Sequence, residues 1–373
     1  MTHLRQKKIA FFILGLLLIC FPLSAEDFKR AFPGRAFSFP QDHYAHPEFK
    51  TEWWYYSGHL QSLEKNQGTF GYQLTFFRTG LKREGKTQRS KWSIQDLHFA
   101  HLAITDETRK NFEYRERMSR GSLGEAGASE KSFRIWIEDW SIEGKGPAIR
   151  NHVLKAGDGN FGIELVLTPA GDPVIHGQNG ISQKAEGDGH ASHYYSITRL
   201  KTEGRLFLKG REVSVHGVSW MDHEFGSNQL QDDQVGWDWF SIQLDQGTDL
   251  MIYQIRRRDG RIDPYSSGTI IFPDGKHQHL SSKEFRIDVL EKWRSRKSDG
   301  NYPSRWVLRM PGLGMDLTLV PTVKDQELIT KESTRVTYWE GSVRIEGTCE
   351  KNPCKGMGYA ELTGYAKPFS KGI

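Results

Sequence analysis

Short runs of apolar and aromatic residues with the length and make-up of β-strands recur along the chain. Such runs fall at residues 52–60, 69–78, 97–105, 133–142, 161–169 and 193–201. In the second half they fall at 212–220, 237–244, 249–257, 268–272, 306–309, 316–320 and 338–347. Asp-Gly pairs and glycine-rich stretches separate them, as turns between strands would. No long segment carries a helical period. The segment 283–296 has the length of a short helix, but Phe285, Ile287 and Val289 alternate, so a strand is expected there. The pattern predicts an all-β protein with its strands in barrels or sandwiches, since closing a sheet removes exposed edges. A barrel of about eight strands can hold one small apolar ligand.

The pattern also repeats itself. WWYYSGHL, starting at Trp53, resembles WDWFSIQL, starting at Trp237, so that Ser57 matches Ser241 and Leu60 matches Leu244. Each run leads through a Gly-Thr turn into a second strand, GTFGYQLTFFR and GTDLMIYQIRR, which sets Arg78 opposite Arg257. GVSWMDH, from Gly217, lines up with GMGYAEL, from Gly356, and sets Asp222 opposite Glu361. Two related β-domains follow, at 26–230 and 231–373, with the polar run at 231–234 as the joint.

The first 25 residues read differently. Arg5, Lys7 and Lys8 precede the uncharged stretch 9–21, Pro22 breaks it, and Ala25 offers a small residue for cleavage. This is the layout of a secretory signal peptide, and the stretch is shorter than the roughly 20 residues of a membrane span. A periplasmic or secreted protein is therefore expected. Lipoprotein anchoring at Cys20 is less favoured, because Ile19 stands where a small residue is needed. Without the three signal residues, the 51 basic residues become 48 against 46 acidic ones, and net charge gives no reason to expect a nucleic-acid partner. The remaining cysteines, Cys349 and Cys354 in CEKNPC, are most simply one disulfide in an oxidising compartment, with free thiols as the alternative. A metal site would need further ligands, and none lie near them in sequence.

Six motifs taken together, FKTEWWYYSGHL, FGYQLTFFR, LHFAHLAITD, GVSWMDHEFGS, GWDWFSIQLDQG and GYAELTGYAKP, resemble one known family. It is the group of secreted lipocalin-like proteins that includes carotenoid 1,2-hydratase (CrtC, hydroxyneurosporene synthase), also labelled AttH-like or "predicted secreted hydrolase". The resemblance implies two tandem lipocalin-like antiparallel β-barrels. It also implies relatives that hydrate isoprenoid and phenolic double bonds with acid–base residues and no cofactor, and fungal pericyclase-like enzymes. Some bacterial relatives are associated with permeases of the ABC lipid-export or lipoprotein-release type.

Chemistry concentrates in Trp220-Met221-Asp222-His223-Glu224-Phe225, where two carboxylates flank an imidazole. Hydrating an unactivated double bond needs a proton donor to carbon, which a carboxylic acid in an apolar pocket supplies. Asp222 is the first candidate for the acid, with His223 as its partner and Glu224 beside them. On a strand, Asp222 and Glu224 share one face and His223 takes the other. The alternative is a structural role at a strand end or at the joint. The aromatic run offers Trp53 and Tyr55 on one face and Trp54 and Tyr56 on the other, as core or as a ligand wall, with Glu52 a second carboxylate at its mouth. Trp237, Trp239 and Tyr253 repeat the wall in the second half. His98 and His101 face opposite sides of their strand and make poor joint metal ligands; either could reach the pocket, with His98 taken first, and a hydrogen-bonded core role is the alternative. No Gly-x-Ser-x-Gly, His-Glu-x-x-His, phosphate-loop or EF-hand motif is present. Two functions are expected to compete: an exported carrier of an apolar lipid or isoprenoid, working with a permease, and a cofactor-independent hydratase or, less favoured, a hydrolase.

Overall fold

The structure is a computed structural model that describes residues 28–64, 68–81 and 94–369. The expected signal at 1–25 lies outside the described residues. The described residues form strands and four single turns of 3-10 helix, with no α-helix. None of their helices is long and apolar enough to cross a membrane.

The strands build two antiparallel sheets. The first runs from Thr51–Ser62 to Arg211–Gly226 in sequence and bends into a nearly closed barrel. Arg117, on the strand Asn111–Ser119, helps to bring the ends together by donating to the Ile137 carbonyl at 3.3 Å and pairing with Glu138 at 3.0 Å. The second sheet, from Gln234–Leu244 to Asn352–Leu362, forms a half-barrel. This is the expected all-β architecture of two tandem barrels.

The central strands follow the internal repeat in register. Thr51–Ser62 lies between Thr69–Gly80 and Arg211–Gly226, and Gln234–Leu244 lies between Asp249–Arg257 and Asn352–Leu362. Tyr55 pairs with Asp222, and Trp239 pairs with Glu361, as the motif alignment requires. The hairpins correct the alignment by one residue. Arg78 lies opposite Glu52, and the residue opposite Gly236 is Arg256, so Arg256 and not Arg257 is its counterpart. A register shift between Gln234 and Gly236 absorbs the difference.

Two local expectations change. The run 133–142 is a hairpin of Arg134–Ile137 and Trp140–Lys145, turned at Glu138 with φ 55°. Asn111–Ser119 is a strand that alternation did not reveal, because it is half exposed along its length and carries charge on both faces. The strand expected within 283–296 is present as Arg286–Arg294.

Even-numbered residues of the first strand, Trp54, Tyr56 and Leu60, point into the first barrel and pack with Tyr72, Leu74 and Phe76. The turn Gln41–His43 enters the same interior: His43 Nδ1 lies 2.7 Å from the Tyr195 hydroxyl, and Trp54 Nε1 donates to the His43 carbonyl at 3.1 Å. Phe240, Trp306 and Trp339 fill the second barrel. Full burial of such side chains contributes about 1.5–3 kcal/mol each. Odd-numbered residues of that strand point outward, where Tyr55 joins Trp220, Trp239, Met251, Tyr253 and Tyr359 in a cluster shared by both barrels. The shared contact joins equivalent residues, with the Tyr55 ring 5.3 Å from that of Trp239. Cys349 and Cys354 are disulfide-bonded across the hairpin that ends the second sheet.

Candidate functional site

Because both barrel interiors are filled and both outward faces are aromatic, space is left between them. A cavity of about 670 Å³ opens there, lined by both halves. The first barrel contributes Trp53, Tyr55, Phe77, Phe99 and Tyr194; the second contributes Trp237, Trp239, Tyr253 and Ile255. Five carboxylates stand on these walls: Glu52, Asp222, Glu224, Glu340 and Glu361.

Asp222 is 3% exposed, so its carboxyl has almost no access to water. Trp220 Nε1 donates to its Oδ1 at 2.7 Å, the Tyr194 hydroxyl donates to its Oδ2 at 3.0 Å, and the Ser196 hydroxyl also donates to Oδ1. Burial outweighs these bonds and pushes Asp222 up to about 7. Behind Ser196 stands His176, with Nε2 2.6 Å from the Ser196 hydroxyl and Nδ1 2.9 Å from that of Thr269. The support of Asp222 therefore reaches into the second barrel.

Glu361 faces the same space. Burial raises it to about 7 against a hydrogen bond from Trp237, and the charges of Glu224 and Asp222 add to the rise. Glu340, its cross-strand partner, is held well above the ordinary carboxylate range by burial and then by the Glu361 charge. Glu224 has a cation: Lys184 Nζ lies 3.2 Å from its Oε1 and 3.9 Å from the centre of the Tyr253 ring. Burial opposes the charge on Lys184, but Glu224 raises it above the ordinary lysine value. Asp222 and Glu361 thus both titrate near neutrality in one aromatic cavity.

The sequence profile of the AttH-like family matches residues 30–365. The chain belongs to the AttH-like family. An AttH from Nitrosomonas europaea is 29% identical, with a TM-score of 0.81, over 91% of this chain and all of that one (100%). Kievitone hydratase from Nectria haematococca shares the fold at 14% identity and a TM-score of 0.70, over 91% of this chain and 98% of its own. CghA, solved with Sch210972, is 10% identical with a TM-score of 0.51, over 89% and 94%. No functionally curated protein matches the chain.

In this AttH-like chain the cavity gathers Asp222, Glu224, Glu52, Trp53, Tyr55, Trp237, Trp239 and Tyr253. Three expected residues lie elsewhere. His223 is fully buried inside the first barrel; its Nε2 lies 2.9 Å from Glu52 and its Nδ1 3.0 Å from both the Tyr195 hydroxyl and the Asp42 carbonyl. It is not the partner of Asp222, because strand alternation sends the two to opposite faces. Trp54 stacks on His223 inside the same barrel, with ring centres 4.8 Å apart. His98 lies on the other face of its strand from His101, and His101 is the one on the cavity wall. Its Nδ1 is 2.7 Å from the Tyr338 hydroxyl and its Nε2 2.8 Å from that of Ser333. Burial lowers His101 to about 3, which keeps it neutral.

Glu52 reaches the cavity's edge, but its oxygens are engaged. They accept from the His46 backbone N–H at 3.0 Å and from Arg78 Nε at 3.2 Å, beside the His46 and His223 rings. His46, Glu52 and His223 bring ligand-type atoms within 4.8 Å of one another. Each ring nitrogen already has a protein partner, and the cluster ties the arm that carries Asp42 and His46 to the barrel. Tyr194, Lys184, Glu340 and His176 belong to the site and were not singled out in the sequence. The YY pair at 194–195 is the one local signal, since it repeats the aromatic doublet of the first strand.

Proposed function

We propose that this AttH-like protein is a cofactor-independent hydratase, a lyase acting on a carbon–carbon double bond of an apolar substrate held between the barrels. The observation that carries this reading is Asp222, buried on the cavity wall and titrating near neutrality. In the forward step the protonated Asp222 gives its proton to one alkene carbon, and the π electrons form the new C–H bond. The other carbon becomes a cation, which the faces of Trp53, Trp239 and Tyr253 stabilise. A water oxygen then bonds to that carbon, and the ionised Glu361 takes the water's proton. The sum is one water added, and the proton returns from Glu361 to Asp222 through solvent. The fold shared with kievitone hydratase supports the reaction class. The Cys349–Cys354 bond fits an oxidising compartment, in line with an exported protein.

The test is incubation of the purified protein with a panel of isoprenoid and prenylated phenolic alkenes in water enriched in oxygen-18, with products read by mass spectrometry. A turned-over alkene gains one labelled water, and the rate peaks near pH 7, falling above it as Asp222 loses its proton and below it as Glu361 gains one. Asp222→Asn abolishes the gain. A carrier gives a different result: a ligand retained equally by the wild type and by Asp222→Asn, with no labelled product from either.

A further inference from the structure

The cavity's charge arrangement carries a statement about ligand class. Asp222, Glu340 and Glu361 stand on its walls, and no described lysine or arginine forms an ion pair with any of them. Four cations lie on the cavity lining, and none of them pairs with these three carboxyls: Lys184 is held by Glu224 at 3.2 Å, Arg78 by Glu52 at 3.2 Å and Asp96 at 2.9 Å, and Arg30 and Lys50 complete the set. Glu340 is 2% exposed, and its Oε1 has no hydrogen-bond partner. The remaining wall is aromatic, and its affinity for cations is visible within the protein, where the Lys184 ammonium sits 3.9 Å from the Tyr253 ring centre and 5.1 Å from that of Tyr194. Unpaired carboxyls beside aromatic faces are the two ingredients of organic-cation recognition.

We infer that the cavity binds hydrophobic organic cations, of the tertiary or quaternary ammonium class, in preference to uncharged molecules of the same shape. The inference extends the hydratase reading, because an ammonium ion imitates the carbocation of that reaction. It rests on binding alone, so the two fail separately.

The preference depends on pH. The charged and titratable groups that share the cavity with Asp222 and Glu361 are Glu224 on the strand of Asp222, Tyr55 on the next strand, Tyr194, Lys184, Tyr253, Tyr338, Glu340 and His101, with Arg30, Lys50, Glu52 and Arg78 also on the lining; His176 stands behind Ser196. Burial lowers His101 to about 3 and holds His176 well below its ordinary value, so neither gains charge near neutrality. Asp222 and Glu361 ionise near 7, and a bound cation favours their charged forms. Cation binding therefore releases a proton near pH 7 and tightens as pH rises.

The experiment compares trimethylphenylammonium with its carbon isostere tert-butylbenzene by titration calorimetry of the full-length protein at pH 6 and 8. The ammonium ion is expected to bind about tenfold more tightly at pH 8, the scale of a desolvated cation–π contact with carboxylate support. The margin shrinks at pH 6, and proton release shows as a dependence of the heat on the buffer. Glu361→Gln and Asp222→Asn reduce the margin while tert-butylbenzene affinity, which reports an intact cavity, is unchanged. Equal affinities at pH 8, a margin independent of pH, or a margin untouched by both variants overturns the inference.

Discussion

Replacing Asp222 by asparagine isolates the energetic consequence of a buried acid. The amide has the same shape: its oxygen accepts from Trp220 and Ser196, and its nitrogen donates to the Tyr194 hydroxyl. What changes is titration. The Asp222 carboxyl ionises at 3.8 in an unperturbed setting and at about 7 in the folded protein. Between these pH values the folded protein holds a proton that the unfolded chain has lost. The stability contributed by this group is full below pH ~4, declines by about 1.4 kcal/mol per pH unit as pH rises, and levels off above ~7. The total decline is about 4 kcal/mol, an upper figure because the site relaxes around the charge. Asp222→Asn lacks this decline. Its stability relative to the wild type should therefore rise by up to about 4 kcal/mol between pH 4 and pH 8. Glu361 adds to the effect, since losing the Asp222 charge eases its own ionisation. Urea denaturation of both proteins at unit steps of pH, followed by tryptophan fluorescence, measures the difference, and groups that do not interact with Asp222 cancel. A difference that does not change from pH 4 to pH 8 refutes the reasoning. Asp222 would then titrate like a solvent-exposed carboxylate and hold no proton for catalysis at neutral pH.

Further outcomes follow from the same geometry. Tyr194→Phe removes the 3.0 Å bond to ionised Asp222, a charge-assisted contact of about 1.5–3 kcal/mol, and should raise the Asp222 titration by about 1–2 pH units in a carboxyl carbon-13 NMR titration. Glu52→Ala strips the carboxylate from Arg78, His46 and His223 and should destabilise the protein by about 3–5 kcal/mol in urea melts, as loss of one partner of a buried ion pair does. Reducing the Cys349–Cys354 bond, whose cysteines are 5 residues apart, should cost about 2 kcal/mol, read as the difference between melts with and without dithiothreitol.

Much of the site was legible in the sequence, though its sidedness was not. The motif around Asp222 and its repeat at Glu361 placed two carboxylates at equivalent positions, and the strand registers reproduce that pairing. Alternation separated Trp53 and Tyr55 from Trp54 and Tyr56, but a period of two does not say which face is inside. For His98 and His101 the same ambiguity leaves the pocket member open in the sequence, and only contact with Tyr338 and Ser333 marks His101, rather than His98, as the one facing the second barrel. Arg257 was matched to Arg78 because a one-residue register shift leaves no local trace.

The sequence by itself determined the strands, their duplication and the aromatic and acidic residues on them, because each is written in local periodicity and in repeated motifs. Only the tertiary structure decided that the cavity lies between the barrels, that Asp222 faces it while His223 turns inward to Glu52, and that Glu340, Lys184 and Tyr194 complete it. Those residues lie far apart along the chain, and their meeting depends on two outward sheet faces packing against each other. Such long-range packing has no period in the sequence. It also fixes the chemistry, since burial at that junction is what moves Asp222 and Glu361 toward neutrality.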